Sequence, residues 1–232
     1  MSTLSVLAYN VGTKVGDPSG TRWAQTISAT PTWASNPVQM ALNDAQDEFC
    51  LKTGIVRDVL DVPVFAGNNA VRFRDTQGNP PLGAILLFED DRGVKLWKAT
   101  EGKMRVLVGP TWKGTAGNPG LSDQPKYWVP GVDGNGRSWL YPCPNRTMTF
   151  KAYVAAKPRP MLESGALPFI NNLPNLEAAQ PQYHEAIVYG ASERLQMQNQ
   201  DGLNVGLAKE HRARFEEFAT QAAADVLAML GG

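Results

Sequence analysis

The sequence predicts an α+β protein: a helical bundle, two helices from the N-terminal part and two from the C-terminal part, with an antiparallel β module inserted between them. Three observations carry this. Apolar residues recur at helical spacing near both ends of the chain, they alternate with polar ones from Val56 to about Val154, and glycine and proline cluster at the changes of pattern. The expected division is 1–55 for the N-terminal helical part, 56–156 for the β module, 157–176 for a connecting loop and 177–232 for the C-terminal helical part with a docking tail.

A first helix is expected from Ser5 to Val15, with Val6, Leu7, Val11 and Val15 on one face and Gly12 weakening it. Gly16 to Gly20 breaks the chain, and the polar stretch that follows to Ser35 has Trp23 and Trp33 as isolated anchors. The second helix opens with Ser35 or Asn36 as cap and Pro37 in its first turn, where a missing N–H costs nothing. Val38, Leu42, Ala45 and Phe49 form its stripe, and Gly54 ends it.

Period-two alternation then marks strands at Leu60–Val62–Val64, Val71–Phe73 and Met148 to Val154. Ala84 to Phe88 has buried-strand length, with Val94 to Ala99 as partner across the turn Glu89 to Gly93. Tyr127 to Val129 and Arg137 to Tyr141 flank Asp133-Gly134-Asn135-Gly136, a strong hairpin signal. Gly109 to Pro125 and Lys157 to Pro174 read as long loops, and loops of that length usually have a task. Beyond Pro181, Tyr183, Ile187, Ala191 and Leu195 recur every four residues. A last helix is expected from Asn204 to Leu230, with Leu207, Phe215, Phe218, Ala222 and Val226 on one side.

The composition excludes several function classes. Lysine plus arginine (22) equals aspartate plus glutamate (22), so the basic excess of a duplex-binding protein is missing. No stretch has the apolar length of a membrane span, and Met1-Ser2-Thr3-Leu4 does not open a signal peptide. Cys50 and Cys143 form no CxxC pair and are expected to be reduced and buried. His184-Glu185 begins like a zinc-binding HExxH, but Val188 stands where the second histidine belongs. His184 and His211 are therefore expected on helix surfaces or at interfaces. The glycine-rich run Gly114 to Gly120 lacks the lysine and hydroxyl residue of a phosphate loop, and no GxSxG elbow occurs. Glu89-Asp90-Asp91 is expected to be solvated turn charge. No enzyme activity, cofactor or metal is expected. Basic residues beside tryptophan (Arg22-Trp23, Lys95-Leu96-Trp97, Arg137-Ser138-Trp139) would suit single-strand stacking, but tryptophan anchoring a small β module explains them as well.

Several strings, in order, carry a resemblance. Val15-Gly16-Asp17 is similar to an opening "LGD" turn, and Trp33 followed by Leu42-Asn43-Asp44-Ala45-Gln46-Asp47-Glu48 to a tryptophan leading into "LNxAQxE". Lys126-Tyr127-Trp128 and Leu140-Tyr141-Pro142-Cys143-Pro144 look like a "PxYY…LxLYPxP" hairpin. Leu173-Pro174 with Tyr183-His184-Glu185-Ala186-Ile187-Val188-Tyr189 resembles "LPxxYHEALVYYA", and Arg212, Arg214, Phe215, Glu216 and Glu217 resemble "YRxRFEE". The chain thus resembles the head-to-tail adaptor (connector) family of tailed bacteriophages. Its stretch between Trp23 and Trp33 and its loop Gly109 to Pro125 are longer than the family pattern.

The resemblance implies a virion protein at the head–tail junction, assembled in the host cytoplasm. It would form a ring of about twelve copies under the portal protein by head-to-tail contacts between neighbouring adaptor subunits. The ring would extend the channel through which DNA passes without being read, and would hold the tail or nozzle protein. Portal docking is expected of the apolar end of the last helix, through Phe218, Ala222, Val226, Leu227 and Leu230. Contact with the tail or next ring is expected of Trp112 and Lys113, with Trp112 as an exposed anchor. The competing readings are another tail component (tail tube or baseplate) and a carbohydrate-binding module.

Overall fold

The computed structural model describes residues 3–16, 37–74, 81, 83–113, 121–131, 137–162, 165–169, 181–198 and 205–231. It divides into two units, Met1–Arg57 with Ala155–Gly232, and Asp58–Val154. Trp23, Trp33, the Asp133–Gly136 turn and Gly114 to Gly120 lie outside the described residues.

The first unit is helical: α1 (Leu4–Lys14), α2 (Pro37–Thr53), α4 (His184–Gln198) and α5 (Val205–Gly231). α4 packs against the other three, and α5 and α1 both pack on α2. α2 follows the sequence reading: Val38, Leu42, Ala45 and Phe49 are all fully buried, and Gly54 stops the helix at φ 68° with its N–H on the Cys50 carbonyl at 2.8 Å. A short 3-10 turn, Pro181–Tyr183, leads into α4, and Tyr183, Ile187, Ala191 and Leu195 are buried as their four-residue spacing required. Phe49 is the centre of this core, with the rings of Phe169, Tyr183 and Phe215 at 5.5, 5.9 and 5.8 Å.

Two helical faces differ from expectation. In α1 the buried residues are Leu4, Leu7, Ala8 and Val11, while Val6 points outward; Gly12 lies on the buried side, where a small residue suits close packing. In α5 the buried stripe is Ala208, His211, Phe215, Ala219, Ala222 and Val226, and Leu207 is exposed. Small alanines let α5 approach its neighbours closely, so the buried stripe follows residue size as well as hydropathy.

Among the described residues the second unit holds a three-stranded and a four-stranded sheet that share one core, and a further two-stranded pair. One has the order β1 (Arg57–Val64), β9 (Met148–Ala155), β3 (Ile85–Glu89); the other β2 (Ala70–Arg72), β7 (Arg137–Tyr141), β6 (Tyr127–Val129), β4 (Trp97–Lys98). Val62, Val64, Phe88, Phe150 and Val154 from the first meet Val71, Trp128 and Leu140 from the second in one core. The predicted β6–β7 hairpin forms, with Val129 opposite Trp139 and Tyr127 opposite Tyr141. β9 alternates buried and exposed along its length as its sequence does.

Three features of this unit were not legible in the pattern. Val94 to Ala99 was expected as the partner of β3, but only an isolated bridge between Lys95 and Glu89 joins them, with the Leu96 N–H on the Phe88 carbonyl at 2.8 Å, and Trp97–Lys98 leaves to pair with β6 in parallel. A second parallel pair joins β5 (Leu121–Ser122) to β8 (Cys143–Pro144), so the module is mixed rather than purely antiparallel. A helix, α3 (Glu101–Val108), follows β4, started by Thr100, whose hydroxyl accepts the Lys103 N–H at 3.2 Å. Cys50 and Cys143 are both buried and not joined in a disulfide.

Candidate functional site

The densest chemistry of the helical unit lies on α2, in Gln39 and the string Leu42 to Glu48. Gln39, Asn43 and Gln46 are buried amides, and a buried amide is tolerated only when its donors and acceptors are used. They are used on the segment that follows β9. Asn43 donates to the Met161 carbonyl at 3.1 Å and accepts the Met161 N–H at 2.6 Å. Gln39 donates to the same carbonyl at 3.0 Å. Gln46 donates to the Arg159 carbonyl at 3.2 Å and accepts the Phe169 N–H at 2.9 Å. Lys157 adds an ion pair to Asp47 at 2.6 Å, and the Leu4 N–H at the head of α1 bonds to the Ala166 carbonyl at 2.8 Å.

Residues 157–162 and 165–169 therefore lack helix or strand yet are fastened along α2 by side-chain amides in place of a backbone ladder. Phe169 occupies the left-handed region at φ 61°, a costly conformation for an aromatic residue. The Gln46 bond and burial of its ring between Phe49 and His184 hold it there.

Glu48 completes the string as an ionic hub joining three helices. It accepts from Arg194 of α4, from Arg212 of α5 at 2.7 Å and from Lys52 one turn along at 3.1 Å. Arg212 and Lys52 also meet Glu216, each at 2.5 Å. Burial alone would push the Glu48 carboxyl up, but the hydrogen bonds from Arg212 and Lys52 and the charge of Arg194 outweigh it and hold the group at about 2 instead of 4.5. A depressed carboxylate contributes stability that is complete above its unfolded value of about 4.5 and disappears as pH falls through about 2. With allowance for solvent around this partly exposed cluster, the contribution is on the order of 2 kcal/mol. Glu48→Gln should therefore lower the urea midpoint at pH 7, and the gap to the parent protein should narrow as pH falls from 5 to 2. An equal gap at both ends of that range would remove charge pairing as the cause.

Both histidines were expected at a surface or interface, and both are buried, with 2 % exposure for His184 and 7 % for His211. His184 packs on Phe169, and His211 on the Tyr189 ring at 5.6 Å. Desolvation lowers the pKa of each, so both favour the neutral form that a core accepts. Asp90 is likewise buried instead of solvated: its carboxylate accepts the N–H groups of Arg92 and Val94 at 2.9 and 2.8 Å and the Arg92 guanidinium at 3.1 Å, closing the turn after β3. Asp91 pairs outward with Arg146 at 2.7 Å. Among the described residues no group of three or more His, Cys, Asp or Glu side chains could hold a metal ion, and no helix is long and apolar enough to cross a membrane.

The residues expected to meet partners fare unequally. Trp112 is 1 % exposed, packed with Ala99, Met104 and Val129 beneath α3, so the expectation of an exposed anchor is corrected. A ring of that size beside a loop gains more from closing a small core than from standing in water. Lys113 lies over the Trp112 ring at 5.6 Å and pairs with Glu101 at 3.0 Å, and its carbonyl accepts from buried Asn69 at 2.9 Å. On α5, Ala222 and Val226 are buried in their own unit, which corrects their assignment to a free docking face. Phe218 is half-buried and stacks on Tyr189 at 6.2 Å, and Leu230 is half-buried. Leu227 and Met229 are exposed at 58 % and 54 %. Asp225 accepts a hydrogen bond from the Tyr183 hydroxyl and ties the end of α5 to the start of α4.

The amide clamps and the ionic hub tie segments far apart in sequence into one helical unit. The sequence matches the SU10 adaptor protein family over residues 2–229, and the chain belongs to that family of phage head-to-tail adaptors. No curated protein matches the chain.

Proposed function

We propose that this chain is the subunit of a ring that docks on the portal, continues the DNA channel and presents a lower surface to the tail. Membership of the adaptor family carries the reading and favours it over a tail-tube, baseplate or carbohydrate-binding role. The reading assigns no catalysis. Equal numbers of acidic and basic residues suit a channel past which DNA slides without sticking.

Portal docking is assigned to the outer side of the end of α5. From Phe218 to Gly232 the only charge is Asp225, and Leu227 and Met229 stand exposed on turns whose other face, Ala222 and Val226, is fastened down. An uncharged helix end with two large exposed side chains is suited to an apolar groove on another protein.

The isolated chain is expected to be monomeric or loosely associated and to assemble into rings once cognate portal is added, as seen by light scattering and electron microscopy. A chain that forms no complex with portal would overturn the reading. Leu227→Asp with Met229→Asp should keep the melting temperature within a few degrees, since both residues are exposed, and should abolish portal binding. A doubly substituted chain that still docks would move the site elsewhere. Deleting Asp225–Gly232 is a poorer test, because it also removes buried Val226 and the Tyr183 partner.

A further inference from the structure

The pairing of β4, β6 and β7 lines up three aromatic side chains. Trp97 stands beside Tyr127, and Tyr127 opposite Tyr141, so the three share one row across neighbouring strands. Their chain neighbours Leu96, Trp128 and Leu140 alternate to the other face of the sheet and enter the large core. The aromatic row lies at the margin of the satellite core around Trp112. Tyr127 and Tyr141 pack on that core and keep part of their surface, and Trp97, on the edge strand, is 72 % exposed. In Lys95-Leu96-Trp97 the buried anchor is therefore Leu96 and not the tryptophan. Anchoring accounts for Trp112 and Trp128 but leaves Trp97 without a task in its own fold. The charge around the row is one-sided. Residues 94–113 and 121–131, which hold β4, α3, β5 and β6, carry six lysines and arginines against Glu101 and Asp123. Glu101 is taken up by Arg105 at 2.9 Å and Lys113 at 3.0 Å, and Asp123 lies 3.9 Å from Arg92. Lys98, Lys103 and Lys126 are exposed, and Lys126 adjoins the row directly, its carbonyl accepting the Trp97 N–H at 2.8 Å.

We propose that the row Trp97, Tyr127 and Tyr141 is a binding platform for a nucleic-acid strand with unpaired bases. The rings offer surfaces on which bases stack, and the surrounding lysines meet the phosphates that link them. Neighbouring strands stand about 4.8 Å apart, so the row spans about 10 Å, room for two or three successive bases. Charge complementarity favours this occupant, because the local excess of cations asks for an anionic partner and the exposed indole for a flat one. A duplex hides its base faces and finds only the lysines here. Sequence is not read, since stacking accepts every base. In the ring reading duplex DNA slides past without sticking. The platform adds a hold on unpaired strand and does not depend on that reading.

The test uses the full-length chain and a fluorescein-labelled oligothymidylate, read by fluorescence anisotropy at about 50 mM salt. Binding with quenching of tryptophan emission is expected, and weaker binding to a duplex of equal length. Trp97→Ala should weaken binding about tenfold, the scale of one lost stacking contact, while Trp97→Phe keeps most of it. The melting temperature of both should stay near that of the parent, because the side chain is exposed. Lys103→Glu with Lys126→Glu should weaken binding as well. It should also reduce the slope of log affinity against log salt by about 1.4, the share of two phosphate contacts on a single strand. An oligonucleotide that does not bind, duplex binding as tight as that of the single strand, or full affinity in Trp97→Ala would each overturn the platform. Phosphatidylglycerol vesicles are the remaining arm, since exposed Val106 and Leu107 on α3 would also suit a lipid surface. Binding to vesicles alone would likewise overturn the proposal. None of these measurements involves portal, so their outcome is separate from that of the adaptor reading.

Discussion

Trp112→Ala is expected to destabilise the β unit by roughly 3–5 kcal/mol, the range for emptying a buried aromatic site. The ring is 1 % exposed and forms a satellite core with Ala99, Met104 and Val129, flanked by Tyr127, Trp139 and Tyr141. Without it, α3 loses its floor: Met104 is the sole buried residue of that helix, and eight residues cannot hold a helix by backbone bonds alone. The thermal midpoint should drop by on the order of 10 °C or more. Trp112→Phe, which refills most of the volume, should recover over half the loss. Calorimetry with near-UV circular dichroism reads both effects. A Trp112→Ala protein of parental stability that failed only to bind a partner would restore the ring to the surface.

Gly190→Val should unfold or severely destabilise the helical unit, by about 3 kcal/mol or more, since overpacking a core with a branched side chain exceeds the usual 1–3 kcal/mol. A glycine inside a helix costs about 1 kcal/mol relative to alanine, so its place in the middle of α4 asks for a steric reason. A Cβ there would stand 2.8 and 2.9 Å from two atoms of the Phe215 ring and 3.0 Å from the Ala45 Cβ. Neither neighbour can retreat, because both are fully buried. Gly190→Ala should therefore be destabilising in spite of its better helix propensity. Adding Phe215→Leu to Gly190→Ala should cost less than the sum of the single changes, the signature of a shared clash. Strict additivity in urea denaturation would show that the close approach of α2, α4 and α5 is not what the glycine permits.

The string Leu42 to Glu48 shows how far the sequence carries the argument. Leu42 and Ala45 were legible as core from their spacing alone, as was the end of α2 at Gly54, because helix periodicity and a left-handed stop are local properties. Asn43, Gln46 and Glu48 were legible only as part of a resemblance. Their partners, Met161, Arg159, Phe169, Arg194 and Arg212, lie more than a hundred residues along the chain, and no local pattern says that a polar residue will be buried and paired.

By itself the sequence determined the four helices of the helical unit, the strands of the two sheets' centres, and the order in which they follow, since these rest on period, caps and turn residues within a few positions of one another. Tertiary structure alone decided which ambiguous side chains are core. It buried Trp112 and Asp90, turned Leu207 outward, and put His184 and His211 inside. It also decided that Trp97 should leave β3 for a parallel partner, and that α3 should form on the Trp112 ring. The reason is common to all of them: burial is a property of two surfaces, and the second surface is supplied by residues brought close only when the chain has folded.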